Sequence, residues 1–185
     1  DFLENDSIVT YGHWKSCLSY KTKLKYRKFL NRHFNKPIQP GHVIGQMLGA
    51  DILGFKDFFE IHHYPHCVDR KILSEYLLSH PDLLETQIKY KFRSVEQLNP
   101  ISLMNHLKIQ KKEAVLKPDL TLAYLKNAES LNDFVSALDQ DNIKYGCIQS
   151  LDQLTQADAE QVKNAMLKKL EGYLPQSVMS TQEIA

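Results

Sequence analysis

Hydrophobic residues recur at helical spacing through the middle of the chain. Over residues 70–80 they form one helix face, which contains Ile72, Leu73, Tyr76 and Leu77. Pro81 ends that helix and suits the first position of a second helix over residues 82–88. Asn99 and Pro100 open a third helix, which carries Ile101, Met104 and Leu107. The pattern therefore predicts a helical middle region over residues 70–110.

In the C-terminal third, strand-like and helix-like patterns follow one another. Apolar residues predict strands at 120–124, with Leu120, Leu122 and Tyr124 on one side, and at 143–148. Ser130 with Asp133, and Thr155 with Asp158, form capping-box patterns that predict a helix after each strand. This order favours a small parallel βαβ-like unit over residues 119–172. We expect its last helix to end at Gly172, and residues 175–185 to form a flexible tail.

The first third allows two interpretations. Residues 18–26 alternate apolar and basic side chains, which is typical of a half-buried strand with a basic outer face. Tyr26, Phe29, Leu30 and His33 instead follow helical spacing, and we favour a helix over residues 26–34. Pro37 and Pro40 interrupt the chain after it. Residues 41–49 then predict a short helix whose glycines recur every four residues, leaving a bare face for a close neighbour.

Residues 58–64 are aromatic and β-branched and end at Pro65, which predicts a strand. Together these elements predict an α+β fold, helix-dominated, as a single compact domain over residues 1–174. Within it we distinguish a basic region 7–50, the helical middle 70–110 and the βαβ-like unit. A domain boundary near residues 111–112 is the alternative.

The charge of the chain is distributed unevenly. The 185 residues carry a formal net charge of only +1. Yet residues 7–50 contain eight Lys and Arg and no Asp or Glu, whereas residues 113–185 contain eleven acids and six bases. Local basic patches bind phosphates, acidic proteins or membrane surfaces, and they also arise as plain solvated faces.

The cysteines and the hydropathy bound the class of protein. Cys17, Cys67 and Cys147 are far apart and odd in number, which argues against a disulfide framework and favours a reducing compartment, the cytoplasm. No apolar run reaches the roughly 18 residues of a membrane span, so we expect a soluble protein without one.

The densest group of possible metal ligands lies at the end of the strand predicted over residues 58–64. It consists of His62, His63, His66 and Cys67. In a strand, His62 and His63 point to opposite faces, so a zinc site would need further ligands from elsewhere. The available candidates are His42, His106 and Asp69. We expect the histidines to pack or hydrogen-bond at the strand end without a cofactor, and zinc is the alternative.

Residues 60–65 resemble the opening of an HNH-type nuclease motif, because a strand ends there in His-His. The resemblance implies an Asn and a second His in a metal-binding hairpin. The nearest partners, Asn99 and His106, lie beyond a long helix, and the flanking cysteine pairs of that motif are missing. The resemblance covers only these six residues.

Two functional hypotheses follow. The first is a non-catalytic adaptor or accessory subunit of a larger multiprotein complex, with a bacterial origin assumed, that docks a protein partner with an acidic segment. Aromatic residues and Arg anchor such interfaces. The partner-binding residues we expect are Trp14, Tyr20, Lys21, Lys23, Lys25, Tyr26 and Arg27. The alternative is a nucleic-acid-binding protein, or a metal-dependent HNH-like nuclease that uses the histidine cluster. No complete catalytic constellation is present, so we nominate no catalytic residue.

Overall fold

The structure, a computed structural model, describes residues 2–5, 7–149 and 151–171. It is mixed α and β with helix dominant, which confirms the predicted fold class. Backbone proximity divides the chain into two compact units. Of the described residues, the first unit contains those up to 119 apart from residues 63–65, and the second contains those three residues and the described residues between 120 and 171. In the described ranges, no helix combines the length and apolar character needed to cross a bilayer.

The first unit contains five helices and five strands within its described residues. The helices are α1 (Cys17–Phe34), α2 (His42–Asp51), α3 (Arg70–Ser79), α4 (Pro81–Ile88) and α5 (Pro100–Lys111). The strands are β1 (Leu3–Glu4), β2 (Ser7–Tyr11), β3 (His13–Ser16), β4 (Asp57–Glu60) and β5 (Ala114–Lys117).

Two small sheets organise this unit. In the first, β2 pairs antiparallel with β1 and parallel with β5, so that Tyr11 lies opposite Lys117. In the second, β3 pairs antiparallel with β4, so that His13 lies opposite Glu60. His13 lies two residues beyond the end of β2, and Asp119 lies two residues beyond the end of β5. The two registers together therefore bring His13, Glu60 and Asp119 to one place.

The basic stretch is helical from its start, so the strand interpretation of residues 18–26 is wrong. Helix α1 begins at Cys17, directly after β3 ends, and it includes the predicted helix over residues 26–34. Leu and Lys favour helix, and a strand here would need a pairing partner that the sheet does not supply. Only Cys17 and Leu24 are buried in the whole helix.

Helix α2 confirms the short helix predicted over residues 41–49, and its glycines admit a close neighbour. A Cβ on Gly45 would lie 3.0 Å from the carbonyl oxygen of Gln97. A Cβ on Gly49 would lie 3.1 Å from the backbone nitrogen of Leu103. Two of the three glycines therefore let α2 pack against α5 and the segment that leads into it. Gly41 has open space around it.

The predicted helices of the middle region are present as α3, α4 and α5. Pro81 is the first residue of α4, and the Asn99 side chain caps α5 by accepting a hydrogen bond from the Ser102 N–H at 3.0 Å. Ile72 is buried on α3 against a cluster from α5, whereas the other three predicted core residues of α3 are half-buried. In the segment before α5, residues 94–97 form a turn in which the Ser94 N–H donates to the Gln97 side chain at 3.3 Å.

Strand β4 ends at Glu60, four residues before the strand predicted over residues 58–64 would end. The buried Gln46 side chain explains the early end. Its amide oxygen accepts from the Ile61 N–H at 2.8 Å, and its amide nitrogen donates to the Ile61 carbonyl at 2.9 Å. A side chain thus satisfies both backbone groups that a neighbouring strand would otherwise satisfy.

The second unit confirms the predicted βαβ arrangement. Strands β6 (Ala123–Leu125) and β7 (Gly146–Ile148) are parallel, with α6 (Leu131–Leu138) between them, and α7 (Gln156–Glu171) follows. The prediction placed Leu120, Leu122 and Tyr124 on the same side of the strand, but the side that faces the core is the other one, since Ala123 and Leu125 are buried and Tyr124 is half-buried. Packing of α6 on β6 determines which side is buried. The predicted helix end at Gly172 and the tail over 175–185 lie outside the described residues.

The two predicted caps of this unit have different outcomes. Thr155 accepts a hydrogen bond from the Asp158 N–H at 3.2 Å, as its pattern predicts. Ser130 makes no side-chain cap on α6. Its hydroxyl instead pairs with Asn127 in a capping box around the short 3-10 turn Ala128–Ser130.

Candidate functional site

Helix α1 carries an apolar stripe on the side that faces away from its own unit. Leu18, Tyr26 and Phe29 are 71%, 62% and 52% exposed. With 3.6 residues per turn, all three lie on the half of the helix opposite the buried Leu24. Helical spacing in the sequence, which normally marks a core face, here marks a face open to solvent.

Cations flank this stripe. Lys21 pairs with Asp51, and Lys28 pairs with Glu96 at 2.8 Å. The Lys28 pair lowers the pKa of the Glu96 carboxyl below its ordinary value. Three cations of α1 have no ion-pair or ring partner among the described residues: Lys25, Arg27 and Arg32. The helix contains no acidic residue, so every Lys and Arg charge on it is uncompensated within the helix itself.

The predicted partner-binding residues fall into two groups. Lys25, Tyr26 and Arg27 are exposed on α1. The others contact their own unit: Trp14 packs edge-on to Phe59, Tyr20 packs edge-on to Phe58, Lys21 pairs with Asp51, and Lys23 lies over the Tyr20 ring. Leu18 and Phe29, which the prediction did not include, are also exposed on α1. The helical spacing that contains Phe29 was visible, but the sequence does not show which way that face points.

A second constellation lies where the two sheets of the first unit meet. The Nδ1 atom of His13 lies 2.6 Å from a carboxylate oxygen of Asp119, and Nε2 of His62 lies 3.8 Å from the other oxygen. The rings of His13 and His62 are 5.4 Å apart. One nitrogen or oxygen from each of the three residues lies within 4.8 Å of the others. Within the described ranges no other set of His, Cys, Asp and Glu meets this criterion.

A buried carboxylate stands behind this group. Glu60 is only 2% exposed, and its Oε2 atom lies 3.2 Å from Nε2 of His13 and in contact with Nζ of Lys15. Both contacts are within ion-pair distance, but neither has the angles of a normal hydrogen bond. The Glu60 carboxylate raises the pKa of the Lys15 ammonium above its ordinary value.

Of the predicted metal ligands, only His62 belongs to this group. The ring of His63 stacks on Tyr124 at 5.2 Å. The Nε2 atom of His66 lies 3.0 Å from the backbone carbonyl of His62, and Cys67 is a half-buried free thiol. Sequence reasoning anticipated that ligands would come from elsewhere in the chain, but it did not name His13 or Asp119.

The other residues considered as metal partners have structural contacts. Asn99 caps α5, and Asp69 caps α3 and pairs with Lys108 at 2.8 Å. His106 is fully buried, where its Nε2 accepts from the Phe59 N–H at 2.9 Å and its Nδ1 donates to the Ser102 carbonyl at 2.7 Å. Both ring nitrogens of His106 are therefore used inside the fold.

Comparison of the chain with protein families, with curated proteins and with solved structures finds no match.

Proposed function

We propose that this protein is a non-catalytic interaction subunit that docks a protein partner through the outer face of α1. The partner we infer presents an apolar groove with an acidic rim. The observation that carries the proposal is the exposed stripe of Leu18, Tyr26 and Phe29 on a helix that also carries three cations without an ion-pair partner among the described residues. Binding of an amphipathic helix in a groove is a common recognition mode, with anchors spaced by three and four residues.

The apolar stripe would supply most of the affinity. Full burial of an aromatic or Leu side chain contributes about 1.5–3 kcal/mol relative to its exposed state. Interface energy also concentrates in a few aromatic and Arg residues. Tyr26 and Phe29 are three positions apart on one face, so both can enter the same groove. They are the anchors we expect.

The cations would supply specificity and speed of association. Complementary charge steers encounter and raises the association rate, whereas desolvated anchors set the dissociation rate. Lys25, Arg27 and Arg32 have no internal carboxylate partner among the described residues, so they remain available to an acidic rim. The proposal also assigns the protein to the cytoplasm, where its three cysteines would remain free thiols.

A photo-crosslinking amino acid at residue 29, in protein expressed in its native host, tests the proposal. Mass spectrometry of the crosslinked species identifies the partner and the residues it presents. We expect an apolar groove with an acidic rim. Binding kinetics of the purified pair then compare Phe29→Ala with Leu78→Ala, since Leu78 is also exposed, 73% against 52% for Phe29, but lies on α3. We expect Phe29→Ala to accelerate dissociation at least about tenfold, and Leu78→Ala to leave it unchanged.

Charge variants complete the design. Lys25→Glu should slow association and flatten its dependence on salt, whereas Lys111→Glu, on α5, should not. Equal binding by wild type and Phe29→Ala would refute the docking face. Dimerisation of the purified protein that is lost in Phe29→Ala would show that a second copy covers the stripe instead.

The alternative, nucleic-acid binding, would use the same cations and aromatic rings. It predicts binding to random single-stranded oligonucleotides without any protein partner, with log affinity falling linearly with log salt concentration. A mobility-shift titration at low salt therefore distinguishes the two functions.

A further inference from the structure

We propose that His13, His62 and Asp119 bind a divalent transition metal ion, with zinc the best-fitting metal, and that Glu60 orients His13 from behind. This site is independent of the docking face on α1. The three ligands come from β3, from the segment after β4 and from the segment after β5, all in the first unit.

The separations of the ligand atoms suit a small metal ion. Zinc binds His nitrogen and carboxylate oxygen at about 2.0–2.2 Å in tetrahedral geometry, which places neighbouring ligand atoms roughly 3.3 Å apart. The two contacts that Asp119 makes, 2.6 Å to His13 and 3.8 Å to His62, lie on either side of that value. All three side chains are partly exposed, which leaves them room to rotate towards coordination distance.

The hydrogen-bond chemistry of His13 points to a cation at the same place. A neutral imidazole has one N–H donor and one acceptor nitrogen, but both nitrogens of His13 face carboxylate oxygens. A cation at this place compensates both carboxylates, and either a ring proton or a bound metal ion supplies it. The two cases differ at Nδ1, because a nitrogen that binds a metal carries no hydrogen.

Glu60 has the position of an outer partner of a metal site. Metal-binding histidines donate their second ring N–H to a carboxylate or carbonyl, which fixes the tautomer and the ring orientation. Glu60 is buried, is held by Lys15, and contacts the ring nitrogen that faces away from Asp119. Burial of a carboxylate costs free energy that a nearby positive charge or hydrogen bond must offset. Orientation of a metal-binding His13 accounts for keeping a carboxylate at this buried position.

The donor set defines what the site would take. Two imidazoles and one carboxylate suit zinc and its first-row neighbours rather than calcium or magnesium, which prefer oxygen ligands. The three side chains are each between a third and two-fifths exposed. Three protein ligands leave a fourth tetrahedral position, where water or an external anionic or nitrogenous ligand can bind.

Metal titration of the full, tag-free chain after treatment with a chelator tests the proposal. We expect one zinc ion per chain, measured by competition with a chromophoric chelator. His62→Ala and Asp119→Asn each remove a ligand and should weaken zinc binding by more than about 100-fold, and Glu60→Gln should weaken it about 10- to 100-fold. His33→Ala is the matched control, because His33 is exposed on α1, and it should bind zinc as wild type does.

Spectroscopy separates a built site from adventitious binding. X-ray absorption of the zinc complex should show two imidazole ligands, and His62→Ala should show one or none. Circular dichroism melts establish that each variant folds, and Asp119→Asn keeps the test valid if His62→Ala does not. The proposal is overturned if zinc binds no tighter than about 10 µM, or if both ligand variants retain wild-type affinity. It is also overturned if NMR shows an N–H on both ring nitrogens of His13 in the presence of excess zinc.

Discussion

Acid should unfold this protein partly through one buried histidine, His106. Burial lowers the pKa of its imidazole from 6.5 to about 4, and the hydrogen bond to the Ser102 carbonyl offsets only part of that effect. The native state therefore holds His106 neutral at a pH at which the unfolded chain binds a proton. The stability that depends on the neutral ring is fully present above pH 6.5, and it is lost as the pH falls from about 6.5 towards 4.

The size of the effect follows from the two pKa values. Each unit of difference corresponds to about 1.36 kcal/mol, so the difference of about 2.5 units corresponds to about 3 kcal/mol between pH 7 and pH 4. At pH 5 about 2 kcal/mol of it should already be lost. A small domain is stable by only about 5–15 kcal/mol, so this loss should be easy to measure.

The assay is urea unfolding of wild type and His106→Gln at several pH values between 7.5 and 4.5. Glutamine can accept from the Phe59 N–H and donate to the Ser102 carbonyl, as the imidazole does, but it does not titrate. At pH 7.5 the variant should be about 1–2 kcal/mol less stable, because it loses the ring contacts with Phe55 and Trp14. This difference in stability should shrink below pH 6.5, because wild type loses stability there and the variant does not, and it should vanish or reverse near pH 5.

The control is His33→Gln, whose side chain is exposed, and its stability should parallel that of wild type at every pH. Carboxylates titrate in all three proteins, so only the difference between wild type and His106→Gln reports the buried ring. Parallel curves for these two proteins, or an NMR titration of His106 with a midpoint near 6.5, would refute the reasoning.

Three further predictions concern the first unit. Ile72→Ala should lower the free energy of unfolding by about 2–4 kcal/mol, since Ile72 is buried against α5, and a loss below about half a kilocalorie in urea melts would contradict that packing. Gly49→Ala should lower the free energy of unfolding by about 1–3 kcal/mol, because the new Cβ would lie 3.1 Å from the backbone nitrogen of Leu103. An unchanged melting temperature would show that α2 and α5 can move apart without loss of stability. Asp69→Ala should lower the free energy of unfolding by about 2–4 kcal/mol, because it removes the α3 cap and leaves the buried Lys108 without its carboxylate partner. The double variant Asp69→Ala/Lys108→Met should be more stable than Asp69→Ala alone, because it no longer buries an unpaired charge.

The sequence by itself determined the features that depend on neighbours along the chain. Pro81 and Asn99 mark helix starts because a missing N–H or a side-chain oxygen acts within one helical turn. The order of elements after residue 119 predicts a parallel βαβ unit because a short strand–helix–strand segment has few ways to bury its apolar side. The uneven charge and the helix over residues 26–34 were equally readable.

Only the tertiary structure decided which faces point inward and which distant residues meet. The stripe with Phe29 has the spacing of a core face, yet it is exposed because α1 packs on its own unit mainly through Leu24 and Cys17. Gln46 ends β4 through a side chain that no local pattern reveals. His13 and Asp119 are 106 residues apart, and they meet because β2 pairs with β5 in one particular register. Spacing along the chain fixes local conformation, whereas the pairing of remote strands depends on the energy of the whole packed unit.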